Sequence, residues 1–87
     1  MKQPEIIVYS KDYCPYCMRA KMLLESRKLS YKEIDITTDT DLQDEMIKKA
    51  NGHKTVPQIF IGKTHIGGFD DLKEKHDSGE LDKILKS

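Results

Sequence analysis

Apolar and polar positions along this chain follow two kinds of pattern, one typical of strands and one typical of helices. Residues 5–9 form a short run dominated by β-branched apolar side chains, which predicts a buried strand. Residues 31–36 alternate between apolar and polar side chains, which predicts a second strand. Residues 58–61 and 64–66 flank Gly62-Lys63, a pair typical of a tight turn, so they are predicted to form a hairpin.

The first helix is predicted over residues 15–27. Pro15 suits the first turn of a helix, where its missing N–H group costs nothing. Cys17, Ala20 and Leu24 recur at three- and four-residue spacing and therefore share one face. We expect this face, and Cys17 with it, to point toward the core.

Capping and charge signals predict the remaining helices. Residues 40–51 carry acidic side chains early and lysines late, which complements a helix dipole, and Gly52 is predicted at the C′ position. A third helix, capped by Asp70 or Asp71, is predicted to end near His76. Gly79 is predicted to open a short closing helix.

The predicted order is β-α-β-α-β-β-α, in a single α/β domain spanning residues 1–87. A helical crossover makes the first two strands parallel, and the hairpin makes the last two antiparallel. The sheet is therefore predicted to be four-stranded and mixed, with helices flanking it.

Cys14 and Cys17 are the only cysteines in the chain, and they lie between a predicted strand and a predicted helix. This is the setting of a thiol–disulfide redox site. A disulfide between them would close too short a loop to add much stability, and no second cysteine pair completes a zinc site. Unpaired N–H groups and the positive end of the helix dipole are expected to stabilise a thiolate at Cys14.

Composition narrows the function classes further. The chain has 15 basic and 15 acidic side chains, and this neutral balance argues against nucleic acid as a partner. No apolar stretch is long enough to cross a membrane, and the first residues lack the apolar region of a signal peptide. We expect a cytoplasmic monomer without a bound metal. His53, His65 and His76 are interpreted as surface or loop residues.

Three motifs in order carry a resemblance to a known family. Cys-Pro-Tyr-Cys at residues 14–17, Thr-Val-Pro at 55–57 and Gly-Gly-Phe-Asp-Asp at 67–71 together resemble the dithiol glutaredoxins of the short bacterial type. The resemblance extends over residues 5–85. It implies a thioredoxin fold, a cis Val56–Pro57 peptide bond, and reduction of disulfides with glutathione as co-substrate and no tightly bound cofactor.

The resemblance also implies two catalytic routes. In the first, Cys14 takes the glutathionyl group from a glutathionylated protein and a second glutathione releases it. In the second, Cys14 attacks a protein disulfide and Cys17 resolves the mixed disulfide. A stabilised thiolate is a good leaving group, which favours the release of Cys14. Ribonucleotide reductase is a reasonable protein substrate by resemblance, although nothing in the sequence selects it.

A glutathione site is predicted around these cysteines. Thr55, Val56 and Pro57 would present a backbone edge to the cysteinyl part of the tripeptide, as in strand addition. By resemblance, Tyr16 flanks the sulfur. Lys11 is the first candidate to bind the glycine carboxylate and Lys48 is the second, and His53 could also help to bind it.

The γ-glutamyl end of glutathione is predicted to meet the start of the third helix. The turn formed by Gly68, Phe69 and Asp70 would offer N–H groups and a positive dipole to its carboxylate. Asp70 or Asp71 would accept from its ammonium group.

Two other functions remain open on the sequence alone. One is a redoxin that thioredoxin reductase reduces directly. The other is a binding module that holds a [2Fe-2S] cluster between two subunits, with Cys14 and glutathione as ligands. Lys11 and the Asp70-Asp71 turn favour glutathione over the first alternative, and the proline after Cys14 and the intact Cys17 argue against the second.

Overall fold

The computed structural model describes residues 3–86. Within that range the chain forms four strands and four helices. The strands are β1 (Ile6–Ser10), β2 (Lys32–Asp35), β3 (Gln58–Ile61) and β4 (Thr64–Gly67). The helices are α1 (Pro15–Ser26), α2 (Thr40–Lys49), α3 (Phe69–Ser78) and α4 (Glu80–Lys86). Their order is the predicted one, with α4 as the short closing helix. No helix in the described range is long and apolar enough to cross a membrane.

The four strands form one mixed sheet in the order β2-β1-β3-β4. β1 pairs with β2 in parallel and with β3 antiparallel, and β3 pairs antiparallel with β4. The register places Val8 opposite both Glu33 and Ile59. The β3–β4 register shifts between Ile59 and Phe60. The predicted sheet and its strand directions are confirmed.

The sheet is covered on both faces because alternate side chains of β1 and β3 point to opposite sides. On one face the core consists of residues from all of the strands but β2 and from α1, α3 and α4, namely Ile6, Val8, Ala20, Leu24, Ile59, Ile61, Ile66, Leu72 and Leu81. On the other face it consists mainly of residues from β1, β3 and α2, namely Tyr9, Ile36, Met46, Ala50 and Phe60. Burial on both faces explains why β1 reads as a continuous apolar run.

Several helix ends differ from the sequence predictions. α3 begins one turn earlier than expected, because its N-cap is Gly68 rather than Asp70 or Asp71, and it continues to Ser78 rather than His76. Gly79 is the left-handed C-cap of α3, with φ of 84°, and α4 begins after it.

The end of α2 is also shifted. The helix ends at Lys49 with Ala50 as its C-cap, so Asn51, with φ of 57°, occupies C′ and Gly52 follows it. The Gly52 N–H donates to the Ile47 carbonyl at 2.8 Å, which is the long bond of a Schellman motif. The prediction that Gly52 occupies C′ was therefore wrong by one position.

Candidate active site

Cys14 is the N-cap residue of α1, in an extended conformation with φ of −111° and ψ of 100°. Its sulfur accepts a hydrogen bond from the Cys17 backbone N–H at 3.1 Å, and its carbonyl accepts from the Met18 N–H at 3.1 Å. The Cys14 sulfur therefore faces the first-turn N–H groups and the positive end of the helix dipole. Both features stabilise negative charge on sulfur.

The Cys14 thiol also connects α1 to the loop before β3. Its sulfur lies 3.7 Å from the Val56 carbonyl oxygen, to which the thiol donates. Val56 is followed by a cis peptide bond to Pro57, as the resemblance implied. This contact joins two motifs that are 42 residues apart in the sequence.

Cys17 lies one turn further along α1 and is 2% exposed. Burial, together with the contact and charge of Cys14, raises the pKa of Cys17 to about 12, although the Lys11 backbone and the Lys21 charge oppose the rise. The Cys17 thiol is consequently protonated at neutral pH. Both cysteines are free thiols here, one partly exposed and one buried.

A groove of about 440 Å³ opens beside Cys14. Its lining combines the Thr-Val-Pro loop, β3 and β4 side chains, the start of α3 and one side chain of α1. The lining residues are Tyr16, His53, Thr55, Val56, Pro57, Gln58, His65, Ile66, Gly67, Gly68, Phe69, Asp70 and Asp71. Most residues predicted to bind glutathione thus line one groove.

The two predicted lysines lie elsewhere. Lys11 lines a second cavity, of about 540 Å³, which also includes Cys14 and Cys17. Lys48 is exposed in the last turn of α2 and lines neither this cavity nor the groove. Cys14 therefore stands between two concave surfaces, and Lys11 is the predicted lysine that shares one of them.

The start of α3 is shaped by Gly67 and Asp71. Gly67 has φ of 116°, a region that L side chains rarely adopt, and a Cβ there would lie 2.3 Å from the Asp71 Oδ2. That carboxylate oxygen accepts from the Gly68 N–H at 3.1 Å. The Gly68 amide is therefore already paired, whereas the first turn leaves the amides of Phe69 and Asp70 without intrahelical acceptors.

Aromatic contacts frame the mouth of the groove. The Tyr16 ring is 52% exposed, and its centroid lies 6.3 Å from that of Phe69. The Arg19 guanidinium carbon lies 5.2 Å from the Tyr16 ring centroid, a cation–π distance. These contacts link α1 to α3 beside the groove.

Gln58 and His65 line the groove without having been predicted there. Gln58 is 2% exposed, and its amide contacts both Thr55 and His65. The interpretation of His65 as a surface or loop residue was wrong, since it lies partly buried in β4. A polar glutamine at the start of an otherwise apolar strand was the sequence signal, because such a side chain must find partners when buried.

Glu33, which lines the second cavity, accepts hydrogen bonds from two side chains. Glu33 accepts from Ser10 at 2.6 Å and from Lys21 at 2.8 Å. The Lys21 bond, and then the Ser10 bond, lower the pKa of Glu33. Lys21 follows Cys17 by one helical turn, so a positive charge lies on the same cavity as both thiols.

Across residues 3–86, no group of three or more His, Cys, Asp or Glu side chains is arranged to hold a metal ion. The reactive groups that the site brings together are the thiols of Cys14 and Cys17, which line the same cavity.

Comparison with known proteins agrees with this geometry. A family model described as Glutaredoxin matches residues 6–66. The chain belongs to the glutaredoxin family. Among its relatives, glutaredoxin 3 of Escherichia coli K12 is 49% identical over 79 residues, which cover 91% of this chain and 94% of the relative.

Solved glutaredoxins share the fold as well. The solution structure of a glutaredoxin from Brucella melitensis is 43% identical, with a TM-score of 0.85, and the match covers 99% of this chain and 92% of the other. The crystal structure of a buckwheat glutaredoxin–glutathione complex is 38% identical, with a TM-score of 0.84 and coverage of 97% and 77%. The thioredoxin fold is thereby confirmed, and membership of the glutaredoxin family makes the protein a thiol–disulfide oxidoreductase.

Proposed function

We propose that this glutaredoxin is a cytoplasmic enzyme that reduces glutathione mixed disulfides and protein disulfides at the expense of glutathione. The observation that carries the proposal is the contact between the Cys14 sulfur and the Val56 carbonyl, at 3.7 Å. It brings a nucleophile to the edge of a groove that has the backbone of the Thr55–Pro57 loop on one side and a helix N-terminus nearby. A structural relative was solved as a complex with glutathione, which supports the same ligand here.

The groove offers partners for the cysteinyl and γ-glutamyl parts of the tripeptide. The Thr55–Val56 backbone would pair with the cysteinyl unit by strand addition, next to the Cys14 sulfur. The amides of Phe69 and Asp70 would donate to the γ-glutamyl carboxylate, since the Gly68 amide is already bonded to Asp71. The Asp70 carboxylate would accept a hydrogen bond from the γ-glutamyl ammonium. Tyr16 would cover the sulfur, and Pro57 would form the floor of the groove.

A cation is required for the glycine carboxylate. Lys11 is the better candidate because it lines a cavity together with Cys14. Lys48 remains the second candidate, although it lies on the exposed face of α2.

In the monothiol route, the Cys14 thiolate attacks the glutathionyl sulfur of a mixed disulfide. A Cys14–glutathione disulfide forms, and the protein sulfur leaves with the electron pair of the broken bond and takes a proton from solvent. A glutathione thiolate then attacks the glutathionyl sulfur, which forms oxidised glutathione and expels Cys14. The Cys17 N–H and the helix N-terminus stabilise Cys14 as the leaving thiolate.

In the dithiol route, Cys14 attacks one sulfur of a protein disulfide and forms a mixed disulfide with it, and the other sulfur leaves as the first protein thiolate with the electron pair of the broken bond. Cys17 loses its proton and attacks the Cys14 sulfur, which closes a Cys14–Cys17 disulfide and releases the second protein thiolate. Two glutathione molecules return the pair to thiols and leave as oxidised glutathione. Because burial raises the pKa of Cys17, its deprotonation is the demanding step of this route.

The test is turnover of a glutathionylated peptide with glutathione, glutathione reductase and NADPH. We expect wild type and Cys17→Ser to turn over and Cys14→Ser to be inactive. A parallel assay replaces glutathione and its reductase with thioredoxin reductase. Turnover only in that second assay, or none in the first, would contradict the proposal.

A further inference from the structure

The Gln58 side chain connects three parts of the fold. Its Nε2 lies 3.0 Å from the Thr55 carbonyl oxygen and 3.2 Å from the Thr55 Oγ1. Its Oε1 lies 2.7 Å from the His65 Nε2. The three residues belong to the loop before β3, to β3 and to β4, and all of them line the groove.

The direction of these hydrogen bonds follows from the groups involved. The Thr55 carbonyl can only accept, so the amide nitrogen of Gln58 faces it and the amide oxygen faces His65. Because an amide oxygen can only accept, the His65 Nε2 carries a proton and donates. Burial and the nearby His53 lower the pKa of His65, against an opposing effect of Asp71, so the donor is a neutral ring at neutral pH.

The His65 ring is itself held in place. It stacks on Phe60 with ring centroids 4.8 Å apart and an interplanar angle of 25°. Since Phe60 belongs to the core beneath α2, the direction of the His65 N–H group is set by packing. The hydrogen bonds that run from His65 through Gln58 to Thr55 therefore begin at a side chain that is fixed on the sheet.

Their other end is Thr55, in an exposed segment. The first residues of this segment are bonded to the end of α2 through the Gly52 and His53 N–H groups, and the His53 ring centroid lies 6.2 Å from that of His65. Residues 51–55 are all exposed and belong to no helix or strand. Thr55 directly precedes Val56, whose carbonyl accepts from the Cys14 thiol. The Gln58 amide thus ties the exposed loop to the sheet one residue before the contact with the nucleophile.

We propose that Gln58 and His65 are positioning residues of the groove, which hold the Thr55–Val56 backbone in the register that binds the glutathionyl part of the substrate. The inference rests on the proposed function, because it concerns the affinity of the same groove. Neither side chain touches the reacting sulfur atoms. Their loss should weaken binding of the substrate and leave the chemistry at Cys14 intact.

A matched pair of variants at residue 65 isolates the hydrogen bond. His65→Phe keeps a ring to stack on Phe60 but cannot donate, whereas His65→Gln retains an N–H donor. We expect His65→Phe to raise the KM for a glutathionylated peptide about tenfold, equivalent to about 1.4 kcal/mol, with kcat within about twofold of wild type. His65→Gln should recover most of the wild-type KM.

A second variant tests the same chain from its centre. Methionine is similar in length to glutamine but can make none of the hydrogen bonds to Thr55 and His65, so Gln58→Met should raise the KM by a similar factor. The double variant His65→Phe, Gln58→Met should raise KM no more than the larger single effect, because both changes break one connection. Lys83→Met, at an exposed position of α4, serves as the control for a change remote from the groove.

The backbone amide NMR resonances of Thr55 and Val56 give a readout that requires no glutathione. We expect them to move in His65→Phe and to stay near their wild-type positions in His65→Gln. The inference is overturned if the KM is unchanged in both His65→Phe and Gln58→Met. It is also overturned if the KM stays constant and kcat falls only in proportion to the fraction of folded protein. Either outcome leaves the proposed function in place. Absence of glutathione-driven turnover in wild type overturns the proposed function and this inference with it.

Discussion

The backbone N–H of Cys17 lies 3.1 Å from the Sγ of Cys14, while the Cys17 thiol itself is buried at 2% exposure. Cys17 therefore stabilises the sulfur of Cys14 through its backbone N–H, while the burial of Cys17 keeps its own thiol protonated. The two cysteines are chemically unequal before any substrate arrives, and this difference is the basis for the proposal that they act at different steps of the reaction.

The first prediction concerns the pH dependence of the resolving step. Burial raises the pKa of Cys17 to about 12, so its thiolate fraction should rise about tenfold per pH unit across the range from about 6 to 9. We expect the rate of Cys14–Cys17 disulfide formation to rise steeply with pH. Quenched-flow alkylation in a single turnover with a protein disulfide measures it. A resolving step in wild type whose rate does not change across this pH range would show the prediction to be wrong.

The second prediction concerns Gly67. Gly67→Ala should destabilise the protein by more than about 2 kcal/mol, since it combines a left-handed backbone with a Cβ placed 2.3 Å from the Asp71 carboxylate. Gly79→Ala is the matched control, because φ is also positive there but nothing lies within 4 Å of the added Cβ. Urea unfolding of both variants gives the comparison. Equal losses would mean that the close approach to Asp71 adds nothing.

The third prediction concerns acid stability and Glu33. The Lys21 and Ser10 hydrogen bonds lower the pKa of Glu33 below its ordinary value of 4.5. A lowered pKa in the folded state stabilises the protein above the unfolded value, and this contribution is lost as pH falls through the folded value. The difference in unfolding free energy between wild type and Glu33→Gln should therefore shrink below about pH 4.5. The effect will be modest, because both side chains are partly solvated, and a gap that stays constant from pH 7 to about 3 would contradict it.

The fourth prediction separates the two lysines proposed for the glycine carboxylate. Lys11→Met should raise the KM for glutathione several-fold, and the effect should fade as salt screens the charge. Lys48→Met, which removes the same charge from the exposed face of α2, should change KM much less. Steady-state kinetics at low and high ionic strength tests both variants. A larger effect at Lys48 would reverse the assignment.

Much of the fold could be predicted because its signals are local. The apolar run at β1, the hairpin turn at Gly62 and the Pro15 start of α1 each act within a few residues, and all three elements are present. Helix ends were less predictable, since several residues compete to cap them. Asp71 acts from inside α3 through the Gly68 N–H, rather than at its boundary.

The sequence by itself determined which residues are the candidates for the chemistry, because Cys14, Cys17 and the Thr-Val-Pro and Gly-Gly motifs are recognisable as short sequence motifs. Only the tertiary structure decided how they meet. Strand pairing and the packing of helices on the sheet bring Cys14 to Val56 and keep Lys48 away from the groove. They also allow Gln58 to bond with both Thr55 and His65. A hydrogen bond is effective over about 3 Å, whereas sequence pattern sets only the face on which a residue lies.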